Sequence, residues 1–213
     1  MPMLRTTRDE QILEALVLKV RLLSLELVFR TWWAEGNSPA IHAYRRLTQL
    51  VNEGLLEQTK LLTEPLLDLT APVCVWQPGQ PAPDFQAVSY ALQSRWTEPP
   101  RRTTVYVATT KAINQYGGTG SGGLKFRLQA THDLHVSVLY LKLLRTNEDA
   151  AQAWVGEDLR PKAGFQLKDP DAVLEFQDGR PSLAIEFGGK YDAGRIQDFH
   201  EHCERFSAGY ELW

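Results

Sequence analysis

The chain has 213 residues, 43% apolar and 23% charged, which suits a globular protein of one large domain or two small ones. No apolar run reaches the roughly 18 residues of a membrane span, and residues 1–10 hold no apolar leader core, so a cytoplasmic protein without a membrane partner is expected. The net charge of −3 divides into +1 over residues 1–63, −3 over 64–99, +5 over 100–127 and −6 over 128–213; this excludes whole-chain attraction to nucleic acid and leaves a local one on the middle segment.

In chain order, residues 8–63 read as three helices and a strand. Ile12, Leu13, Leu16 and Val20 recur near helical spacing from Arg8 to about Lys19. Ser24 is placed to cap a second helix through Trp33, ending near Gly36. Ser38-Pro39 opens a third, with Ser38 as N-cap and Pro39 at the first helical position, and Gly54 stops it. On that helix Ile41, Tyr44, Leu47, Leu50 and Val51 form the expected apolar stripe. His42, Arg45, Arg46 and Gln49 lie on the other side. Leu55 to Leu61 follows as a short strand. Three short helices and a strand after Asn52-Glu53-Gly54-Leu55-Leu56 resemble a winged helix-turn-helix over 1–63. The resemblance implies double-stranded DNA as partner, with Arg45, Arg46 and Gln49 at base edges or phosphates and a two-fold homodimer as the default state. The competing reading is a solvated basic face on an ordinary helix bundle.

Residues 64–100 carry seven prolines, yet Trp76, Phe85, Tyr90 and Trp96 argue for an ordered connector over a free linker. Val73 to Trp76 reads as a strand and Phe85 to Trp96 as a helix. Thr103 to Thr109 alternates β-branched and aromatic residues and reads as a strand. The glycine-rich stretch Gly117 to Gly123 lacks both the dinucleotide fingerprint and the Lys-Ser/Thr of a phosphate-binding loop. Its basic flanks, Arg101 and Arg102 before and Lys125 and Arg127 after, suit a nucleic-acid backbone; a plain surface loop is the alternative. Cys74 and Cys203 lack metal or redox spacing and read as reduced buried thiols.

Thr131 is placed to cap a helix from His132 to about Arg145. Ala153 to Glu157 is a candidate strand. Two alternating runs then flank Asp178-Gly179, a strong hairpin signal. A two-residue loop puts Gln177 opposite Arg180 and therefore Asp171 opposite Glu186. Directly opposed like charges destabilise a sheet, and a divalent metal is the usual reason to keep them. A solvated acidic face, or an odd-numbered loop that shifts the parity, would remove the pairing. Ala193 to Phe206 reads as a helix and Tyr210 to Trp213 as a last strand. His132 and His135, at helical spacing, could form a zinc site only by converging with His200 or Cys203; capping and interior hydrogen bonds are the plainer roles.

The order helix, three strands, helix, strand, with Pro170-Asp171 opening one strand and Glu186 ending the next, resembles the PD-(D/E)XK or restriction endonuclease-like fold over 101–213. With the winged helix, the His132-Asp133-Leu134 helix start, Pro170-Asp-Ala-Val-Leu-Glu-Phe176 and Leu183-Ala-Ile-Glu-Phe-Gly-Gly-Lys-Tyr191, the whole is similar to the replication-relaxation family of plasmids and mobile elements. The resemblance implies a mixed α/β protein in which Asp171, Glu186 and the backbone carbonyl of Phe187 hold magnesium, with Asp133 or Glu157 as a further carboxylate. The family's lysine position is Gly188; Lys190 or Arg195 is the expected substitute. The functions implied are DNA binding in replication, mobilisation or regulation with a nuclease-like domain; a magnesium-dependent endonuclease; or a protein–protein adaptor.

Overall fold

The computed structural model describes residues 4–35, 37–119, 122–123, 129–160 and 169–213. Gly36, Lys125 and Arg127 lie outside the described residues. The fold is mixed α/β and divides into two compact units, Met1–Pro65 with Pro100–Thr146 and Leu66–Pro99 with Asn147–Trp213. This division departs from the expected limits of 1–63, 64–100 and 101–213. The reason is a long-range strand pair that local sequence signals do not report.

In the first unit, α1 (Thr7–Glu14) begins with a capping box. The Thr6 side chain accepts from the Asp9 amide, and the Asp9 carboxylate accepts from the Thr6 amide at 2.6 Å. The helix continues as a wide π turn, Ala15–Lys19. β1 (Leu23–Ser24) leads into α2 (Leu25–Trp32), where Ser24 Oγ accepts from Leu27 N at 3.1 Å, the cap that the sequence implied. α3 spans Pro39–Asn52 with proline first, as expected. Ser38, however, is left-handed (φ 57°) and makes no side-chain cap. Its carbonyl instead accepts from Ile41 N at 3.0 Å and His42 N at 3.3 Å.

β2 (Leu56–Thr63) pairs antiparallel with β4 (Arg101–Ala108), from Leu56 opposite Ala108 to Thr63 opposite Arg101. β1 pairs with the other side of β4, giving the order β1-β4-β2. The chain between β2 and β4 supplies β3 (Cys74–Trp76) and α4 (Phe85–Gln93) to the second unit. α5 (Thr110–Tyr116) and α6 (Ala130–Thr146) complete the first unit. Thr131 does not cap α6; its hydroxyl accepts from Glu64 N at 3.0 Å, and the helix starts at Ala130, two residues before the expected His132. Ile12, Leu13, Leu22, Val28, Leu47, Leu50, Tyr106 and Leu134 are wholly buried in the core.

In the second unit, α7 (Glu148–Ala153) precedes β5 (Trp154–Gly156), β6 (Ala172–Leu174), β7 (Leu183–Glu186), α8 (Ala193–Arg205) and β8 (Gly209–Leu212). The sheet order is β3-β8-β7-β6-β5. β5, β6 and β7 are an antiparallel meander, while β7 and β8 run parallel across α8. Asp84 caps α4 and Asp192 caps α8, each carboxylate accepting first-turn amides. Leu92 of α4 and Ile196 and Phe199 of α8 pack with Ala184, Tyr210 and Leu212 in one buried cluster. Both helices therefore cover the sheet face that carries Ala184.

Candidate functional site

The β6–β7 ladder has the register that a two-residue loop dictates, with Ala172 opposite Ile185, Val173 opposite Ala184 and Leu174 opposite Leu183. Asp171, one step before β6, thus faces Glu186, the last residue of β7. Neither competing reading of the acidic pair survives. The parity is unshifted, and the face is buried: Asp171 is 8% exposed and Glu186 0%. α4 and α8 pack on the part of that face that carries Ala184.

Oxygens of the two carboxylates lie within 4.8 Å of one another. Their positions are set by donors rather than by rotamer preference alone. Phe187 N donates to Asp171 Oδ2 at 2.8 Å, and Asp171 N donates to Glu186 Oε2 at 3.1 Å. The Tyr191 hydroxyl donates to Glu186 Oε1 at 2.5 Å. Hydrogen bonds to a carboxylate are the strong kind, and three of them fix this pair in the low-dielectric interior. Burial, and then the Asp171 charge, pushes the Tyr191 phenol well above its ordinary pKa; Arg195, whose guanidinium lies 4.5 Å over the Tyr191 ring, opposes that shift. Tyr191 therefore stays a neutral donor. The sequence reading missed it, although its place five residues after Glu186, past a Gly-Gly turn, lets the chain bend back onto the strand.

The third carboxylate is better sought at Glu157 than at Asp133. The Glu157 amide donates to the Asp171 carbonyl at 2.9 Å, and its charge reaches the Tyr191 hydroxyl. Asp133 is engaged within its own unit, 3.5 Å from Arg21. His135 Nδ1 donates to the Thr131 carbonyl (2.6 Å), and His200 Nδ1 shares a hydrogen bond with the Tyr210 hydroxyl (3.2 Å), the interior bonding that the sequence suggested.

The cations near the acidic pair are placed differently from what the resemblance implied. A Cβ on Gly188 would stand 2.7 and 3.0 Å from the Leu92 methyls and 3.1 Å from Leu212 Cδ1, so α4 occupies the space of any side chain there. Lys190 is exposed, with its ammonium 5.2 Å over the Trp96 ring; the Trp96 indole is pinned by its Nε1 donating to the Gly189 carbonyl at 3.0 Å. Arg95, which the sequence reading passed over, lays its guanidinium 5.7 Å from the Phe187 ring centre, and burial lowers its pKa.

The residues proposed for DNA are partly brought together on α3. His42, Arg45 and Gln49 are exposed. Arg46 is not available to a ligand. It grips the wholly buried Asp9 through Nε (2.8 Å to Oδ1) and through a shorter Nη2 contact, and it also donates to Leu4 O and Gln49 Oε1, each at 2.8 Å. Ile41 and Tyr44, expected in the core, are 51% and 47% exposed. Leu47 and Leu50 face inward as expected, and Ala43 joins them in place of Ile41 and Tyr44, so the buried face of α3 is turned away from the first part of the apolar stripe. On β4, Arg101 contacts Glu26 at 3.4 Å and Arg102 is exposed.

No family model, curated protein or solved structure matches the chain. Among the described residues, no helix is long and apolar enough to cross a membrane.

Proposed function

We propose that the chain is a double-stranded DNA-binding protein whose second unit is a PD-(D/E)XK-like domain with a divalent-cation site. The layout of the first unit supports the first part. Its first three helices, with a sheet ordered β1-β4-β2, suit a winged helix-turn-helix, in which α3 would take the recognition position. The observation that carries the reading is the outward face of α3: His42, Arg45 and Gln49 stand exposed on a helix that holds no acidic residue. Winged-helix binders work as two-fold dimers in many cases, and a homodimer fits here. Likeness to replication-relaxation proteins suggests a role in the replication, mobilisation or regulation of a plasmid or mobile element.

The test is retention of duplex DNA as a function of salt. Arg45→Ala is expected to weaken binding across sequences and to lower the salt slope by about one, the signature of one lost phosphate contact. Arg45 is exposed, so the variant keeps its fold. No retention even at low salt would defeat the reading and leave the adaptor role.

A second reading, a magnesium-dependent endonuclease, is favoured by the buried carboxylates within 4.8 Å of each other. This donor set suits a hard divalent cation, with Asp171, Glu186 and the Phe187 carbonyl as ligands and Lys190 as the nearby charge. A bound ion would polarise a phosphoryl oxygen and lower the pKa of a bound water. With glycine in place of the family's lysine, turnover is expected to be slower by about a hundredfold or more, roughly 3 kcal/mol of lost electrostatic stabilisation. Plasmid nicking with magnesium or manganese should be slow and abolished by Asp171→Asn or Glu186→Gln. Nicking that survives both substitutions would rule the site out.

A further inference from the structure

Ile41 and Tyr44 are the two large apolar side chains exposed on α3, and nothing among the described residues of the first unit covers them. They stand among polar neighbours. Ile41 lies three residues into the helix, where a recognition helix meets base edges, and Arg45 follows one turn later on the same row. The absence of any carboxylate between Pro39 and Asn52 makes this face compatible with a polyanion and a poor match for a basic protein surface.

We propose that Ile41 and Tyr44 are specificity residues that pack against thymine C5-methyl groups in the major groove, so that α3 favours A·T pairs. The inference rests on the DNA reading above and deepens it. Thymine is the base that offers a methyl group next to a hydrogen-bond acceptor, O4, in that groove. Farther along the helix, Gln49 has its Oε1 held by Arg46 Nη1 at 2.8 Å, which leaves the amide NH₂ as a donor. Arg46 thereby acts as a positioning residue for Gln49 rather than as a DNA contact.

The experiment compares two A·T-rich duplexes of identical sequence, one with thymine and one with uracil at every such position, by fluorescence anisotropy at fixed salt. Uracil differs only in lacking the methyl group. Wild-type protein is expected to bind the uracil duplex about fourfold more weakly for each methyl it contacts. Ile41→Ala and Tyr44→Ala, each with unchanged melting temperature, are each expected to narrow the gap, and the double substitution to bind both duplexes alike. Equal binding of both duplexes by the wild type overturns the proposal while leaving DNA binding intact. Retention of neither duplex overturns it together with the DNA reading. A change of oligomeric state in Ile41→Ala with the thymine preference intact assigns the patch to a second copy of this chain and overturns it as well.

Discussion

Arg46→Ala is expected to destabilise the first unit by about 3–5 kcal/mol, the usual cost of leaving a buried charge without its partner. Asp9 is 0% exposed, and its carboxylate carries both the α1 capping box and the Arg46 contacts that bind α3 to α1. Removing Arg46 strands that carboxylate in the interior. Arg46→Lys should recover little, because a point ammonium cannot reproduce the fork that reaches both Asp9 oxygens, Leu4 O and Gln49 Oε1. Chemical denaturation followed by tryptophan fluorescence of Trp32 and Trp33 reads the loss; a cost below about 1 kcal/mol would mean that the pair is no better than a surface one.

The pH dependence has a definite sign. Burial raises the Asp9 pKa, but the Arg46 and Thr6 hydrogen bonds outweigh it, and the net shift is downward from 3.8. A carboxylate with a depressed folded pKa contributes stability that is present above its unfolded value and lost as pH falls through its folded value. The wild-type advantage over Arg46→Ala is therefore expected to hold at neutral pH and to shrink below about pH 4.

Gly188→Lys, which installs the lysine of the PD-(D/E)XK pattern, is expected to cost the second unit about 3 kcal/mol or more and to confer no gain in cleavage. Even the Cβ would meet Leu92 at 2.7 Å, and Leu92 is wholly buried, so its methyls have no open space to move into. Gly188→Ala should already cost about 1–3 kcal/mol through overpacking. Leu92→Ala in the same chain should offset part of the Gly188→Ala cost, giving a coupling of opposite sign to simple additivity. A fully stable Gly188→Lys protein that cuts DNA quickly would contradict this account. The physical point is that α4, entering from the passage between β2 and β4, fills the position where the pattern places its charge.

Much of the site was legible because hairpin register is a local property. Asp178-Gly179 and the period-2 runs sufficed to put Asp171 opposite Glu186, and the ladder agrees pair by pair. Their burial was not legible, since no local pattern in a hairpin reports what packs on its face. For the same reason the face of α3 was misjudged. Ile41 and Tyr44 continue the apolar spacing of Leu47 and Leu50, and hydrophobicity alone cannot report that Ala43 takes the inward position. Arg46 looked like one of a basic pair with Arg45; only its partner, Asp9, some three dozen residues earlier, distinguishes them. Apart from the short helix α7, the strand and helix positions in the second unit were readable from turn and cap residues. The pairing of Thr63 with Arg101 was not, because no local pattern announces a partner beyond a long excursion.

That excursion has a consequence for how the molecule is made. β3 hydrogen-bonds to β8, and Gly188 and Glu186 exchange backbone bonds with Trp213 at 2.8 Å each. During synthesis the first unit can close once Thr146 has left the ribosome, while Leu66–Pro99 waits, already tethered at both ends, for strands that emerge much later. The waiting segment exposes Trp76, Phe85 and Leu92 in the meantime, which makes it the interval of greatest aggregation risk and the natural target of a chaperone.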